Sequence, residues 1–368
     1  MKDKIYFPNL NGLRFIAAFM VIFSHLELNK SYLGIANFFQ EIKHLGKLGV
    51  SLFFVLSGFL ITFLLLKEKE QNSTISYRNF YIRRILRIWP LYYFIVILSL
   101  FVLPYFSFFD IANFQIGLKN PFEYLKVILL FVFFLPNLLI QIKLIPFATQ
   151  TWSIGTEEQF YLIWPWVINN AKKLKLLFIV LIIGYNVILY LIEMDFFQNL
   201  PYFNVIKGFI QLFQLDALTI GALAAYLLYI KHSVLNFFVY TPFFIISIVS
   251  TITIIVFNVE IPFGNSVLYA FHFGIIILSL VYNPKLKNLL ENRVFNYLGK
   301  ISYGLYMYHQ IVIVFTINVL LKLNIINHYL IYILSIILTI IISAISYRYL
   351  ETPFLNKKRA LSIFNNEK

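Results

Sequence analysis

Few ionisable side chains interrupt the apolar stretches of this chain, and each of those could carry chemistry. They are Arg14 and His25 near the N-terminus, Glu157 and Glu158 in the middle, and then Asp216, His272 and His309. A charge inside a membrane is costly, so such residues tend to face a cavity or a partner. Arg14 and His25 stand within about 20° of three whole helical turns and about 16 Å apart along the axis, so they share a face. A cation near one surface and an imidazole deeper in suit an anionic ligand entering from that surface, with the histidine as general base. The same pair equally suits an arginine snorkelling to headgroups and a histidine packed near the opposite interface.

A second cluster reads Phe80-Tyr81-Ile82-Arg83-Arg84-Ile85-Leu86-Arg87. Helical spacing brings Arg83, Arg84 and Arg87 together, and their planar forks could grip phosphates bidentately. Juxtamembrane arginines also set topology and touch anionic lipids. A third cluster, Gln150-Thr151-Trp152-Ser153-Ile154-Gly155-Thr156-Glu157-Glu158, is oddly polar between two apolar runs. Glu157 could orient a base or handle a proton, and Ser153 or Thr156 ahead of two acids could be an ordinary helix cap. Asp216 precedes the small-residue stretch Gly221-Ala222-Leu223-Ala224-Ala225, which reads as close helix packing. Ser302, Tyr303, Tyr306, Tyr308 and His309 could bind sugar hydroxyls or form an interfacial aromatic belt. His272 alone on an apolar helix reads as a packed core histidine. The histidines are scattered without i,i+4 pairing, so no metal set emerges. Walker, dinucleotide-binding and nucleophile-elbow motifs are absent from the sequence.

The elements that must hold these residues are dictated by composition. Of 368 residues, 60% are hydrophobic and 12% charged, against roughly 45–50% and about 25% in soluble proteins. Mean hydropathy is +0.80. The chain belongs in a bilayer, and a soluble, disordered or coiled-coil class is excluded. With no cysteine, disulfides and thiolate chemistry are excluded too.

Eleven apolar segments lie near 10–28, 48–66, 88–106, 125–142, 152–170, 175–193, 208–230, 237–257, 265–282, 298–321 and 329–350. The first lacks a small-residue cleavage site and reads as an uncleaved span. If all eleven cross from a cytoplasmic N-terminus, most basic residues fall outside, against the positive-inside rule. If 125–170 crosses only once, 22 of the 30 basic residues fall inside. The expected fold is therefore all-α and polytopic, with about ten crossings, both termini cytoplasmic and a re-entrant or broken segment within 125–170. Irregular backbone at membrane depth is tolerated where it is buried in protein or lines a cavity, which marks 135–158 as part of a site. A single membrane domain, 1–355, is expected, followed by a short cytoplasmic tail, 356–368. The charge of +14 is then mostly topology rather than a nucleic-acid surface.

Taken together the clusters resemble acyltransferase family 3, multi-pass membrane enzymes that O-acetylate bacterial surface polysaccharides. The resemblance runs from about Asn9 to Pro353. It rests on Asn9-Leu10-Asn11-Gly12-Leu13-Arg14 with His25 following, Gly49-Val50-Ser51-Leu52-Phe53-Phe54-Val55-Leu56-Ser57-Gly58-Phe59, Arg83-Arg84-x2-Arg87-x2-Pro90, Trp152-Ser153-x3-Glu157-x-Gln159-Phe160-Tyr161, Ile301-Ser302-Tyr303-x2-Tyr306-x2-His309 and Glu351-x-Pro353. It implies that Arg14 and His25 are the essential pair, His25 being base or transient acyl carrier, with Glu157 as the family's glutamate. It implies that Arg84 and Arg87, beside Arg83, hold acetyl-CoA at the cytoplasmic face. Ser302, Tyr303, His309 and Asp216 become candidates for substrate binding, and Gln214 replaces an arginine common in the family. The implied partners are acyl-CoA, a carbohydrate acceptor and the bilayer of a bacterial inner membrane. The end shortly after Pro353 implies the stand-alone type. A glycan or small-anion transporter, or an acyltransferase for lipid or antibiotic acceptors, are the rival readings.

The topology has a direct test. A cysteine at Lys172 or Lys173 should be labelled by an impermeant thiol reagent only after cells are opened. Labelling in intact cells would refute the assignment.

Overall fold

The computed structural model describes residues 5–39, 45–111, 121–238, 240–257 and 265–360, so 361–368 of the expected tail lie outside the described residues. Every regular element among the described residues is helical. Hydrocarbon offers no water to unpaired N–H and C=O groups, so apolar runs of this length satisfy their backbone internally.

The chain begins with α1 (Leu10–Tyr32), α2 (Leu45–Asn72) and α3 (Tyr77–Phe101). Next come α4 (Pro121–Val132) and α5 (Pro136–Ile142), of 12 and 7 residues. At about 1.5 Å per residue neither can cross alone. After a non-helical stretch, α6 (Thr151–Asn170) begins. The expected break within 125–170 is thus two short helices and an irregular connection feeding one full-length helix. The remaining elements are α7 (Leu174–Glu193), α8 (Phe203–Phe213), α9 (Leu215–Tyr229), α10 (Leu235–Phe238), α11 (Thr241–Val256), α12 (Asn265–Tyr282), α13 (Arg293–Lys300), α14 (Ser302–Lys322) and α15 (His328–Ser346). A π-helical turn, Tyr347–Glu351, then leads into α16 (Thr352–Ala360), which takes up the start of the expected tail. Among the described residues, seven helical stretches are long and apolar enough to cross a bilayer. Two shorter apolar helices, α11 and Ser266–Tyr282 of α12, accompany them, in keeping with the expected all-α polytopic fold.

Helices α2 and α14 are the most enclosed, and α7, α11 and α15 lie at the periphery. On α15, Ile333, Ile337, Ile341 and Ile345 form an exposed stripe at i,i+4 spacing, the pattern of a face turned to lipid. Close approach inside depends on glycine. Gly58 of α2 lies against the Leu218 backbone of α9, and Gly221 of α9 against the Val55 carbonyl of α2, so a Cβ at either would strike main chain. Helices α2 and α6 run parallel in a fixed register. Lys69 Nζ donates to the Ile168 and Asn169 carbonyls at 3.2 and 2.7 Å, Trp164 Nε1 donates to Thr62 Oγ1 at 2.8 Å, and Ser57 bonds Tyr161.

The start of α1 is pinned by Asn9, wholly buried at a left-handed φ of 66°. Its Nδ2 donates to the Leu280 and Leu286 carbonyls, both at 2.9 Å, its Oδ1 accepts from Leu290 N at 2.7 Å, and its own N–H donates to Glu291. Glu291 also accepts from the Tyr6 hydroxyl at 2.6 Å. Burial, then the neighbouring carboxylate, pushes the Tyr6 hydroxyl above its usual range, which keeps it a donor. At the other end of α1, Lys30 and Glu27 form a fully buried ion pair at 2.9 Å. Tyr332 bonds both partners, and Glu27 also accepts from Phe38 N and Phe39 N at 2.9 and 3.3 Å. The pair is viable there because both carboxylate oxygens accept and the ammonium donates twice.

Asn9→Ala should lower stability by about 2–4 kcal/mol, since it leaves two buried carbonyls unpaired and strains the backbone. Thermal unfolding in detergent measures this, and an unchanged midpoint would contradict the assigned role.

Candidate active site

A cavity of about 790 Å³ opens between α1, α2, α3, α6 and α14. Its depth follows from the residues that α2 contributes. They run from Glu68 to Val50, about 27 Å of helix. At the mouth are Tyr6, Glu68, Arg83, Glu291 and Lys300. Arg14, Ser57, Arg84, Arg87, Glu157, Tyr161, Ser302, Tyr303 and Glu351 line the middle, and Val50, Phe53, Phe54, Ser153, Ile154 and Tyr306 the inner end. The mouth faces the side to which the basic residues sort.

The four arginines are held differently. Arg83 pairs with Glu68 at 3.0 Å, and the same carboxylate accepts from Ser76 N, so this arginine is largely committed to joining α3 to α2. Arg84 lies over the rings of Phe80 and Tyr161 at 5.7 and 5.6 Å, a cation–π arrangement, and its buried Nε has no hydrogen-bond partner among the described residues. Arg87 lies within electrostatic reach of Glu351, and Arg14 donates to Asn11 Oδ1 at 3.5 Å. Glu157 faces Ser57, Tyr161 and Arg84. Of the three arginines expected to converge, all line the cavity, Arg83 while paired with Glu68.

The break in 125–170 is what brings α6 to this wall. Phe134 and Phe147, at its two edges, both take positive φ, of 54° and 64°. Each presents its carbonyl to a glutamine: Gln159 Nε2 donates to Phe134 O and Gln150 Nε2 to Phe147 O, both at 2.8 Å. Gln159 also exchanges amide hydrogen bonds with Asn137 at 2.9 and 3.0 Å. Gln150 reaches the Met307 carbonyl of α14 at 2.9 Å. Neither Ser153 nor Thr156 caps α6, whose first residue is Thr151. Ser153 Oγ instead meets the Tyr306 hydroxyl at 2.6 Å.

His25 does not border the cavity, contrary to the expectation that it lines the same space as Arg14 and Glu157. It lies one helical turn past Tyr306, where its Nδ1 meets the Val21 carbonyl at 2.9 Å and His309 Nε2 at 3.3 Å. His309, wholly buried, directs its Nδ1 at the Tyr306 carbonyl at 2.6 Å. The carbonyl requires a proton on His309 Nδ1, so in the neutral ring His309 Nε2 is a lone pair. Both neighbours of His25 Nδ1 are then acceptors, so that nitrogen carries its proton and Nε2 is the bare, basic one. Asn29 Nδ2 donates to the His25 carbonyl and to Gln310 Oε1 at 2.8 and 2.9 Å, tying α1 to α14 at this level.

Ser302 and Tyr303 line the arginine-bearing cavity rather than a separate sugar subsite, and Tyr303 donates to the Ile88 carbonyl at 2.9 Å. His309 pairs with His25 and does not reach the cavity. Asp216 is buried in the first turn of α9, near Asn186 and Ser266, and is off the cavity altogether. His272 meets Ser250 at 3.0 Å between α11 and α12. Glu68, Asn137 and Phe53 were given no role by their spacing. Glu351 is visible in the sequence as part of Glu351-x-Pro353, one of the segments that carry the family resemblance.

The tautomer is testable. Nitrogen NMR of His25, assigned by its loss in His25→Gln, should show a protonated Nδ1 and a bare Nε2. The opposite assignment would contradict the geometry.

Comparison with known proteins bears on the whole chain. The acyltransferase-domain family profile matches residues 7–348. Peptidoglycan O-acetyltransferase OatA of Listeria monocytogenes is 28% identical over 390 residues, covering 95% of this chain and 56% of that protein. O-acetyltransferase OatA of Staphylococcus aureus is 27% identical over 384 residues, covering 97% and 58%. The chain thus spans less than two thirds of the length of these curated relatives. No solved structure matches it significantly. With the profile covering nearly all of an all-helical membrane fold, the chain belongs to acyltransferase family 3.

Proposed function

We propose that this chain is a membrane O-acyltransferase that moves an acetyl group from cytoplasmic acetyl-CoA to a hydroxyl of an extracytoplasmic cell-envelope carbohydrate. The observation that carries the reading is the one-ended cavity, which runs from Arg84 and Arg87 to the wall behind which His25 and His309 stand. Its chemistry changes along its length as a coenzyme A thioester does. Arg84 and Arg87 offer forks to phosphates midway along it, and Leu56, Phe54 and Val50 offer an apolar sleeve to the pantetheine arm further in. The unpartnered Arg84 Nε is a donor awaiting an anion. The relatives' printed names, peptidoglycan O-acetyltransferase and O-acetyltransferase, support acetyl as the group and an envelope glycan as acceptor.

In this reading both termini are cytoplasmic, in the inner membrane of a bacterium, and the bilayer separates donor from acceptor. Arg14 and Glu157 steady the thioester end of the donor. With the Phe53 ring turned aside, His25 Nε2 takes the proton of the acceptor hydroxyl as its oxygen forms the new bond to the acyl carbon and the carbon–sulfur bond breaks. The thiolate recovers a proton on the mouth side. The same lone pair could carry the acyl group itself, with identical overall balance. His309 acts as a positioning residue, since it accepts from His25 Nδ1 in either route.

His25→Ala should lower transfer by at least about 10²-fold while the protein still elutes as a folded species. Arg84→Ala and Arg87→Ala should raise the KM for acetyl-CoA more than they lower kcat. Acetyl-CoA should also protect both arginines from an arginine-directed reagent. Full activity in His25→Ala, or no protection by acetyl-CoA, would reject the proposal, the latter favouring a transporter. Loss of acetylated envelope glycan on deletion would identify the acceptor.

A further inference from the structure

Three helices end the cavity at one level. On α2 the last lining residues are Phe53 and, a turn further, Val50; on α6 Ser153; on α14 Tyr306. The rings of Phe53 and Tyr306 meet edge to face, with centroids 5.8 Å apart and planes at 73°. Tyr306 is locked there, because its hydroxyl bonds Ser153 Oγ at 2.6 Å and the Gln150 carbonyl at 2.9 Å. On its far side is the His309 ring, at 5.8 Å, followed by His25. The ring pair is therefore the partition between the donor cavity and the two histidines.

What this end can hold follows from its surface. The Tyr306 and Ser153 hydroxyls are spent on each other and on Gln150, which leaves the faces of Phe53, Phe54, Val50 and Ile154. Such a surface has no free donor for a sugar hydroxyl and is largely apolar, and it suits the tail of an acyl group. Space beyond that tail is closed by an aromatic ring rather than by a flexible chain, so each added methylene meets a fixed edge.

We infer that Phe53, braced by Tyr306, sets the acyl length this chain accepts and restricts it to short groups. The inference rests on the proposed acyl-CoA donor. Phe53 is the determinant that can be varied, because Tyr306 is bonded into the break between α5 and α6.

The test measures transfer from acetyl-, butyryl- and hexanoyl-CoA by the full-length chain in nanodiscs. Unmodified protein should prefer acetyl-CoA. Phe53→Ala and Phe53→Leu should raise the ratio of butyryl to acetyl transfer by about tenfold or more, the scale on which a pocket discriminates by methylenes. Phe53→Trp should sharpen the acetyl preference. Tyr306→Phe keeps the ring and should keep the chain-length profile, whatever happens to the rate. A folded, monodisperse Phe53→Leu with an unchanged profile would overturn the inference and leave the donor reading standing. If unmodified protein transfers no acyl group from any of the three, the donor reading fails, and the inference with it.

Discussion

A helix interrupted inside a bilayer exposes carbonyls and amides where no water can satisfy them, and the arrangement of this protein depends on how that cost is met between α4 and α6. Two glutamines meet it. Gln159 covers the carbonyl of Phe134 and Gln150 that of Phe147, the two residues forced into positive φ at the edges of the break. The Gln159–Asn137 exchange then locks α5 onto α6, and Gln150 reaches across to α14. Because the break is braced, α6 starts at a fixed depth with Ser153 on Tyr306 and Glu157 beside Ser57 and Arg84. Without the brace neither the inner end of the cavity nor its carboxylate wall would have a defined position.

The cavity follows a second rule, that buried charge be matched. Glu68, Glu157 and Glu351 are distributed against Arg83, Arg84 and Arg87, so the guanidinium groups do not form a bare basic patch. An isolated arginine at this depth would be costly. One held by a carboxylate on one side and an aromatic face on the other can still direct an N–H at an incoming anion. Arg84 is in that state: Phe80 and Tyr161 support it and its Nε has no acceptor. The same economy governs the outer part of α1, where Glu27, Lys30 and Tyr332 close on each other away from the cavity.

Much of the site was legible in one dimension, unevenly. Hydropathy and the sorting of basic residues pointed to the break in 125–170, and helical spacing to a shared face for Arg14 and His25. That face proved to serve two compartments, with Arg14 in the cavity and His25 past its inner end. His309 stood beside Ser302 and Tyr303 in sequence, which suggested a sugar-binding group, yet one turn of α14 separates a lining residue from the partner of His25. Asn9 looked like part of a recognition motif, and its side chain is spent on anchoring α1 to 280–290. Asp216 carried the right chemistry in a position the packing of α7, α9 and α12 removes from the cavity.

By itself the sequence determined the solvent, the helical class, the place of the break and the side on which basic residues gather. These depend on local hydropathy and on the 3.6-residue period, which each segment expresses alone. Tertiary structure alone decided which arginine Glu68 occupies, that Phe53 and Tyr306 close the cavity, and that His309 faces His25 across 284 residues of chain. Those contacts depend on the crossing and depth of α1, α2, α6 and α14. Both are set by glycine contacts and amide bonds between helices, whose partners no single stretch of sequence can specify.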